Sequence, residues 1–291
     1  MVNLNLEFAE LAIQYLRTED DNYIEKICSL AAADHIYFHA CSCNPEMNFD
    51  SKESFIKHIL NKNSLRNNIS NYENILNQIS KSTGFVQEAE KETLKYLPEG
   101  TLFSVNMYIT LGYFPVGING NFNIDLSFNF DNVREILYLS IHELHHVGFL
   151  QYCNVPLSTK NLRLKGDLSS LLSAHFQLEA LATYAPYNIR SAENALADID
   201  YNETSNISLM KECKAQLFSS YDTLKKNSDL FIEENDFNIL NDFWSGKRIA
   251  YRFGLYSCIK ISEKYGERFL IDTIKKGSDS FMELVRSIDF C

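Results

Sequence analysis

The segment 133–150, VREILYLSIHELHHVGFL, constrains this chain most. Val133, Ile136, Leu137, Leu139, Ile141, Leu144 and Val147 surround a helix almost completely, and a helix that is apolar all round is a buried one. Its middle nevertheless carries HELHH at 142–146. Ionisable side chains are costly to bury unless they are paired or hold a metal. Residues four apart stand one turn above each other on a helix. His142 and His146 can therefore reach one ion. Glu143 projects to the flank, close enough to touch a water on that ion without taking a coordination place.

Around this helix the periodicity predicts an α+β chain, mostly helical. The first hundred residues read as helices. Phe8, Leu11, Ala12, Tyr15 and Leu16 keep the i, i+3, i+4 spacing, and shorter helices follow over about 52–61, 71–80 and 85–96. Residues 102–111 favour β structure, and 121–130, NFNIDLSFNF, alternate without a fault. Phe122, Ile124, Leu126, Phe128 and Phe130 fall on one face, while Asn123, Asp125 and Ser127 fall on the other. That pattern predicts a half-buried strand with one polar side. Asp131 is a good N-cap for a motif helix of about 132–150. A second helix is expected over 168–184, capped by Asp167, and the last 45 residues should give two or three helices broken at Gly266 and Gly277. The expected organisation is a helical region over residues 1–100, a core over 101–190 with a small antiparallel or mixed sheet on the motif helix, and a helical region over 191–291. The three regions could equally form one continuous domain.

Charge and composition exclude several classes. A formal charge of −11 over 291 residues argues against nucleic acid as the main partner. The apolar runs are too short for a transmembrane helix, so no membrane partner is expected. The N-terminus lacks the basic region of a signal peptide. Seven scattered cysteines do not suggest a disulfide scaffold, and a cytoplasmic location is expected. The acidic balance fits cationic substrates and a plain solvated surface equally well.

His142, Glu143 and His146 form the H-E-x-x-H arrangement of zinc peptidases. Zinc suits it, because neutral imidazole is a good ligand and three protein ligands leave a position for water. For the third ligand, Glu179 falls in the middle of an apolar stripe of Leu168, Leu171, Leu172, Phe176 and Ala182, where a carboxylate needs a cation or several donors. Asp167 has an easier explanation as a helix cap. His145 reads as packing or as support for the ligands, and His175, one turn before Glu179, as support or packing. His35 and His39 share i, i+4 spacing with Cys41 and Cys43 close behind, but C-x-C without a second pair is a weak zinc pattern.

SIHELHHVGF followed by LEALATY resembles the gluzincin type of zincin metallopeptidase. The likeness is greatest to a family of uncharacterised proteins assigned as zinc-dependent peptidases, through NIDLSF at 123–128, EALATY at 179–184, YRFG at 251–254 and the closing GERFLIDTIKKGSDSFMELV. Ala180 stands where that family more usually has glycine. The resemblance implies a zincin-like fold, one Zn2+ per chain, and a peptide or protein substrate. It also implies a tyrosine that stabilises the oxyanion, for which Tyr251 is the candidate and Tyr256 the next. Glu143 would then act as general base. In such folds a substrate chain commonly pairs with a sheet edge above the site, a role open to the strand 121–130. Other readings are a non-catalytic binding module with structural zinc, and a zinc hydrolase of a non-peptide amide. A di-iron bundle needs two E-x-x-H elements, and Glu143–His146 is the one present.

Overall fold

A computed structural model of the chain describes residues 1–43 (Cys43 by its backbone alone), 49–118, 120–128, 130, 132–156, 159 and 161–289. The chain divides into two compact units. The first comprises Met1–Glu92 and Leu102–Val147, the second Thr93–Thr101 and Gly148–Cys291.

The first unit is built on a four-stranded mixed sheet of β1 (Val2–Asn5), β2 (Val105–Thr110), β3 (Val116–Ile118) and β4 (Asn121–Asp125), in the order β1-β2-β4-β3. β1 and β4 both run parallel to β2, with Val2 opposite Val105 and Met107 opposite Phe122. β3 runs antiparallel to β4 and forms one edge of the sheet. Helices α1 (Glu7–Thr18), α2 (Asp21–Cys28), α3 (Ala31–Cys43), α4 (Lys52–Leu60), α5 (Asn63–Arg66), α6 (Ile69–Lys81) and α7 (Phe85–Leu94) precede β2. α1 buries Phe8, Ala12 and Leu16 as its spacing predicts, and packs on β2.

Three sequence expectations need correction here. The chain opens on a strand, β1, where the periodicity predicts only helices. The alternating segment 121–130 keeps strand geometry only to Asp125. The Asp125 carboxylate accepts the Ser127 N–H at 2.9 Å, the Ser127 hydroxyl at 2.5 Å and the Gly112 N–H at 2.8 Å, which turns the chain. Phe128 is consequently exposed. The polar side of this strand is also buried: Asn123 is fully inaccessible, and its side-chain amide donates to the Thr110 hydroxyl at 3.0 Å and the Phe114 carbonyl at 3.2 Å. β4 lies inside the sheet, so the edge beside the motif helix is β3.

The motif helix, α8, spans Val133–Phe149. Asn132 caps it, its Oδ1 accepting the Arg134 and Glu135 N–H groups at 2.8 and 3.3 Å. Asp131, the expected cap, and Asn129 lie outside the described residues.

Among the described residues, the regular structure of the second unit is helical apart from one isolated bridge between Leu164 and Phe231. α9 (Lys165–Tyr184) is its centre, followed by α10 (Tyr187–Ala192), α11 (Ile199–Asn202), α12 (Ile207–Lys226), α13 (Asn238–Trp244), α14 (Ile249–Tyr265), α15 (Glu267–Lys276) and α16 (Ser278–Arg286). α9 begins three residues earlier than its cap signal suggested. Asp167 reaches back to accept the Arg163 and Leu164 N–H groups at 3.0 and 2.9 Å, so it caps from inside the first turn. Those two bonds hold its carboxyl below the usual range. α14, α12 and α16 all pack on α9, and every residue from Phe176 to Tyr184 is buried. Ser173 and Gln177, off the apolar stripe that carries Glu179, are therefore enclosed as well. Gln177 donates to the Thr273 carbonyl at 3.0 Å and Ser173 meets Ser278 at 3.2 Å. Gly266 and Gly277, both at φ +85°, break the C-terminal helices where the sequence placed the breaks. The fold is α+β and mostly helical, and no helix among the described residues is long and apolar enough to cross a membrane.

Candidate metal centre

In the first unit, the middle of α8 brings His142 and His146 together. Their Nε2 atoms stand 3.0 Å apart, with the rings nearly perpendicular at 88°. Two zinc–nitrogen bonds of tetrahedral geometry would leave ligand nitrogens about 3.3 Å apart. The pair therefore fits a shared cation with little adjustment. His146 is buried and His142 half-buried, so the pair keeps one open side. Glu143 is 5% exposed and His145 fully buried.

The edge strand β3 presses on this turn of α8. A Cβ on Gly117 would lie 3.1 Å from the Glu143 carbonyl oxygen, 3.4 Å from the His146 Cβ and 3.5 Å from Glu143 Oε2. A side chain there would make the strand or the helix give by a few tenths of an ångström, so the glycine lets β3 sit close. β3 is itself held by His35 on α3, whose Nε2 donates to the Val116 carbonyl at 3.2 Å. His39 Nδ1 meets the Tyr113 hydroxyl at 2.8 Å. Burial pushes His35 down, and burial together with the neighbouring His35 pushes His39 down to about 4. These two neutral imidazoles are spent on the backbone and on a phenol, which gives the His35/His39 spacing a structural purpose. Sequence reasoning missed Gly117 as a site residue, because its glycine reads as turn punctuation. Cys28, Cys153, Cys213 and Cys258 are free thiols.

In the second unit, Glu179 sits in the C-terminal third of α9, 9% exposed. The next residue, Ala180, meets Gly254 of α14, where a Cβ would come within 2.8 Å of the Ala180 Cβ. The Y-x-x-G segment thereby acquires a physical meaning. Gly254 lets α14 close onto α9 beside Glu179, and Tyr251 stands one turn earlier on the same helix. Ala180, where glycine was expected, is accommodated because the small residue is on the opposite helix. Tyr251 is half-buried, with the Arg248 guanidinium 4.1 Å from its ring centroid. Tyr256 is 3% exposed and stacks on Phe253. His175 Nε2 meets the Pro156 carbonyl at 2.7 Å and its ring stands edge-on to Trp244, which accounts for packing.

By donor chemistry, His142, His146 and Glu179 form a set that could hold a metal ion. Two imidazoles and a carboxylate are the ligand types of catalytic zinc sites. No curated protein and no solved structure matches the chain. One family does, its profile aligning with residues 4–285, and the chain belongs to that family, described as "Putative zinc dependent peptidase" (DUF5700).

Proposed function

We propose that the protein is a zinc-dependent peptidase that hydrolyses an amide bond in a peptide or protein. One observation carries the reading: His142 and His146 converge at 3.0 Å on a buried helix whose intervening Glu143 is held against a sheet edge by Gly117. Family membership supports it.

In this reading His142, His146 and Glu179 hold one zinc ion per chain. When bound, zinc supplies Lewis acidity, polarising a carbonyl and acidifying water. Glu143, next to a ligand but not needed as one, takes the proton from the attacking water. It then delivers that proton to the amine nitrogen as the C–N bond breaks. The Tyr251 hydroxyl donates to the carbonyl oxygen as negative charge develops there. A purely structural zinc would have no use for Glu143.

The test is digestion of a broad peptide library by zinc-loaded protein, with and without chelator, beside Glu143→Gln. The expected result is chelator-sensitive cleavage by the wild type and full zinc content in the variant with turnover lowered at least about 100-fold. Undiminished turnover by Glu143→Gln removes the base, and no chelator-sensitive cleavage removes the peptidase.

A further inference from the structure

The first turn of α14 carries a second charged cluster whose members lie within the second unit. Asp200, 8% exposed on α11, receives two guanidinium groups. Arg248 Nε stands 2.9 Å from both carboxylate oxygens, and its Nη2 2.7 Å from Oδ2. Arg248 Nη1 donates to the Trp244 carbonyl at 3.2 Å. Arg252 gives Asp200 only its Nε, at 2.9 Å. Asp198, the neighbouring acid, makes no ion pair with either arginine among the described residues, and its Oδ1 accepts the Asp200 N–H at 2.9 Å.

Two features of this cluster exceed what a structural staple needs. One carboxylate, that of Asp200, is shared between two guanidinium groups. The Arg252 side chain is only 12% exposed, yet its two terminal nitrogens form no hydrogen bond among the described residues and are not sealed from solvent. A guanidinium fixed through Nε and open at both Nη atoms presents the fork that grips a carboxylate with two parallel bonds. The brace is itself strained: Arg248 lies in the left-handed region, at φ 52° and ψ 48°, held there by Asp200 and Trp244. The Arg248 guanidinium also stands 4.1 Å from the Tyr251 ring centroid, so Tyr251 borders this cluster.

We propose that Arg252, braced by Asp200 and Arg248, binds a carboxylate of the substrate, either a free C-terminus or an acidic side chain near the bond to be cut. The proposal rests on the peptidase reading and adds its specificity: peptides carrying a carboxylate beside the Tyr251 turn are preferred.

Matched peptides test it. One series places Asp, Asn or Ala at each position flanking the cleavage point, and a second compares free with amidated C-termini. The wild type is expected to cleave the carboxylate-bearing member at least about tenfold faster in kcat/KM than its neutral partner. The series that shows the preference identifies the source of the carboxylate. Arg252→Gln should bring the ratio to near one, and Arg252→Lys, which keeps a cation without the fork, should leave it intermediate. An unchanged ratio in both variants, or no preference in the wild type, overturns the proposal. If Arg252→Gln does not fold, Arg252→Lys alone decides by the same ratio. Titration calorimetry of the same peptides into Glu143→Gln, with and without Arg252→Lys, reads the subsite without turnover. Cleavage of no peptide by any protein fails the peptidase reading, while equal binding of carboxylate and neutral peptides fails the subsite.

Discussion

A Cβ on Gly254 would stand 2.8 Å from the Ala180 Cβ and 2.9 Å from its Cα, so α14 touches α9 backbone to backbone one residue from Glu179. Real Cβ atoms do not approach so closely, and the atoms in the way are not the end of a flexible side chain. Gly254→Ala must push the helices apart, at a cost of about 1–3 kcal/mol. Chemical denaturation should show that loss. Combined with Ala180→Gly the loss should be less than the sum of the two single losses, because the two sites share one contact. Strict additivity of the single and double variants would mean that the helices do not meet there.

The ligand assignment makes a separate prediction. Purified protein should hold about one zinc per chain, and His146→Ala and Glu179→Ala should each lose it on dialysis. Elemental analysis reads the metal directly. Retention of full zinc by both variants would show that the ligands are misassigned, whatever the activity.

The legible and illegible regions of this fold differ in the range of the interactions that make them. α8 could be read because its apolar positions and its HELHH are local in sequence. Gly266 and Gly277 could be read because a break needs no partner. β1 could not, since four residues carry too little pattern and its partner β2 begins a hundred residues later. The polar side of β4 reads as solvated for the same reason that Ser173 and Gln177 of α9 give no sign of being enclosed. Asn123, Asp125, Ser173 and Gln177 find their hydrogen bonds on distant segments, and a side chain satisfied at long range has the same local pattern as one facing water. The pairing of Asp200 with Arg248 and Arg252 was hidden in the same way.

Gly117 gives a prediction about the general base. A Cβ there would meet the Glu143 carbonyl oxygen at 3.1 Å, and either β3 or this turn of α8 must yield by a few tenths of an ångström. Gly117→Ala should keep its zinc, because the imidazole nitrogens are not the groups struck. Turnover should fall by about tenfold or more, since small displacements of a reacting group are costly. Measuring zinc content beside kcat separates the two effects. Full turnover with full zinc would show that Glu143 does not depend on the strand for its position.

Asp125 gives the fold a pH dependence of its own. Burial raises its carboxyl from the ordinary 3.8 to about 6, against the lowering effect of its bonds from Ser127 and Gly112. The folded state therefore holds this proton at pH values where the unfolded chain has released it. The stability from that proton is fully present below about pH 4 and is lost as pH rises through about 6, a change of at most about 3 kcal/mol. Asp125→Asn removes the titration and keeps the architecture. Its Oδ1 still accepts from the Gly112 and Ser127 amides, and its Nδ2 can donate to the Ser127 hydroxyl. Urea denaturation of both proteins between pH 4 and 7 should show the variant gaining on the wild type as pH rises. A constant difference between the two curves would mean that Asp125 titrates alike in the folded and unfolded chain.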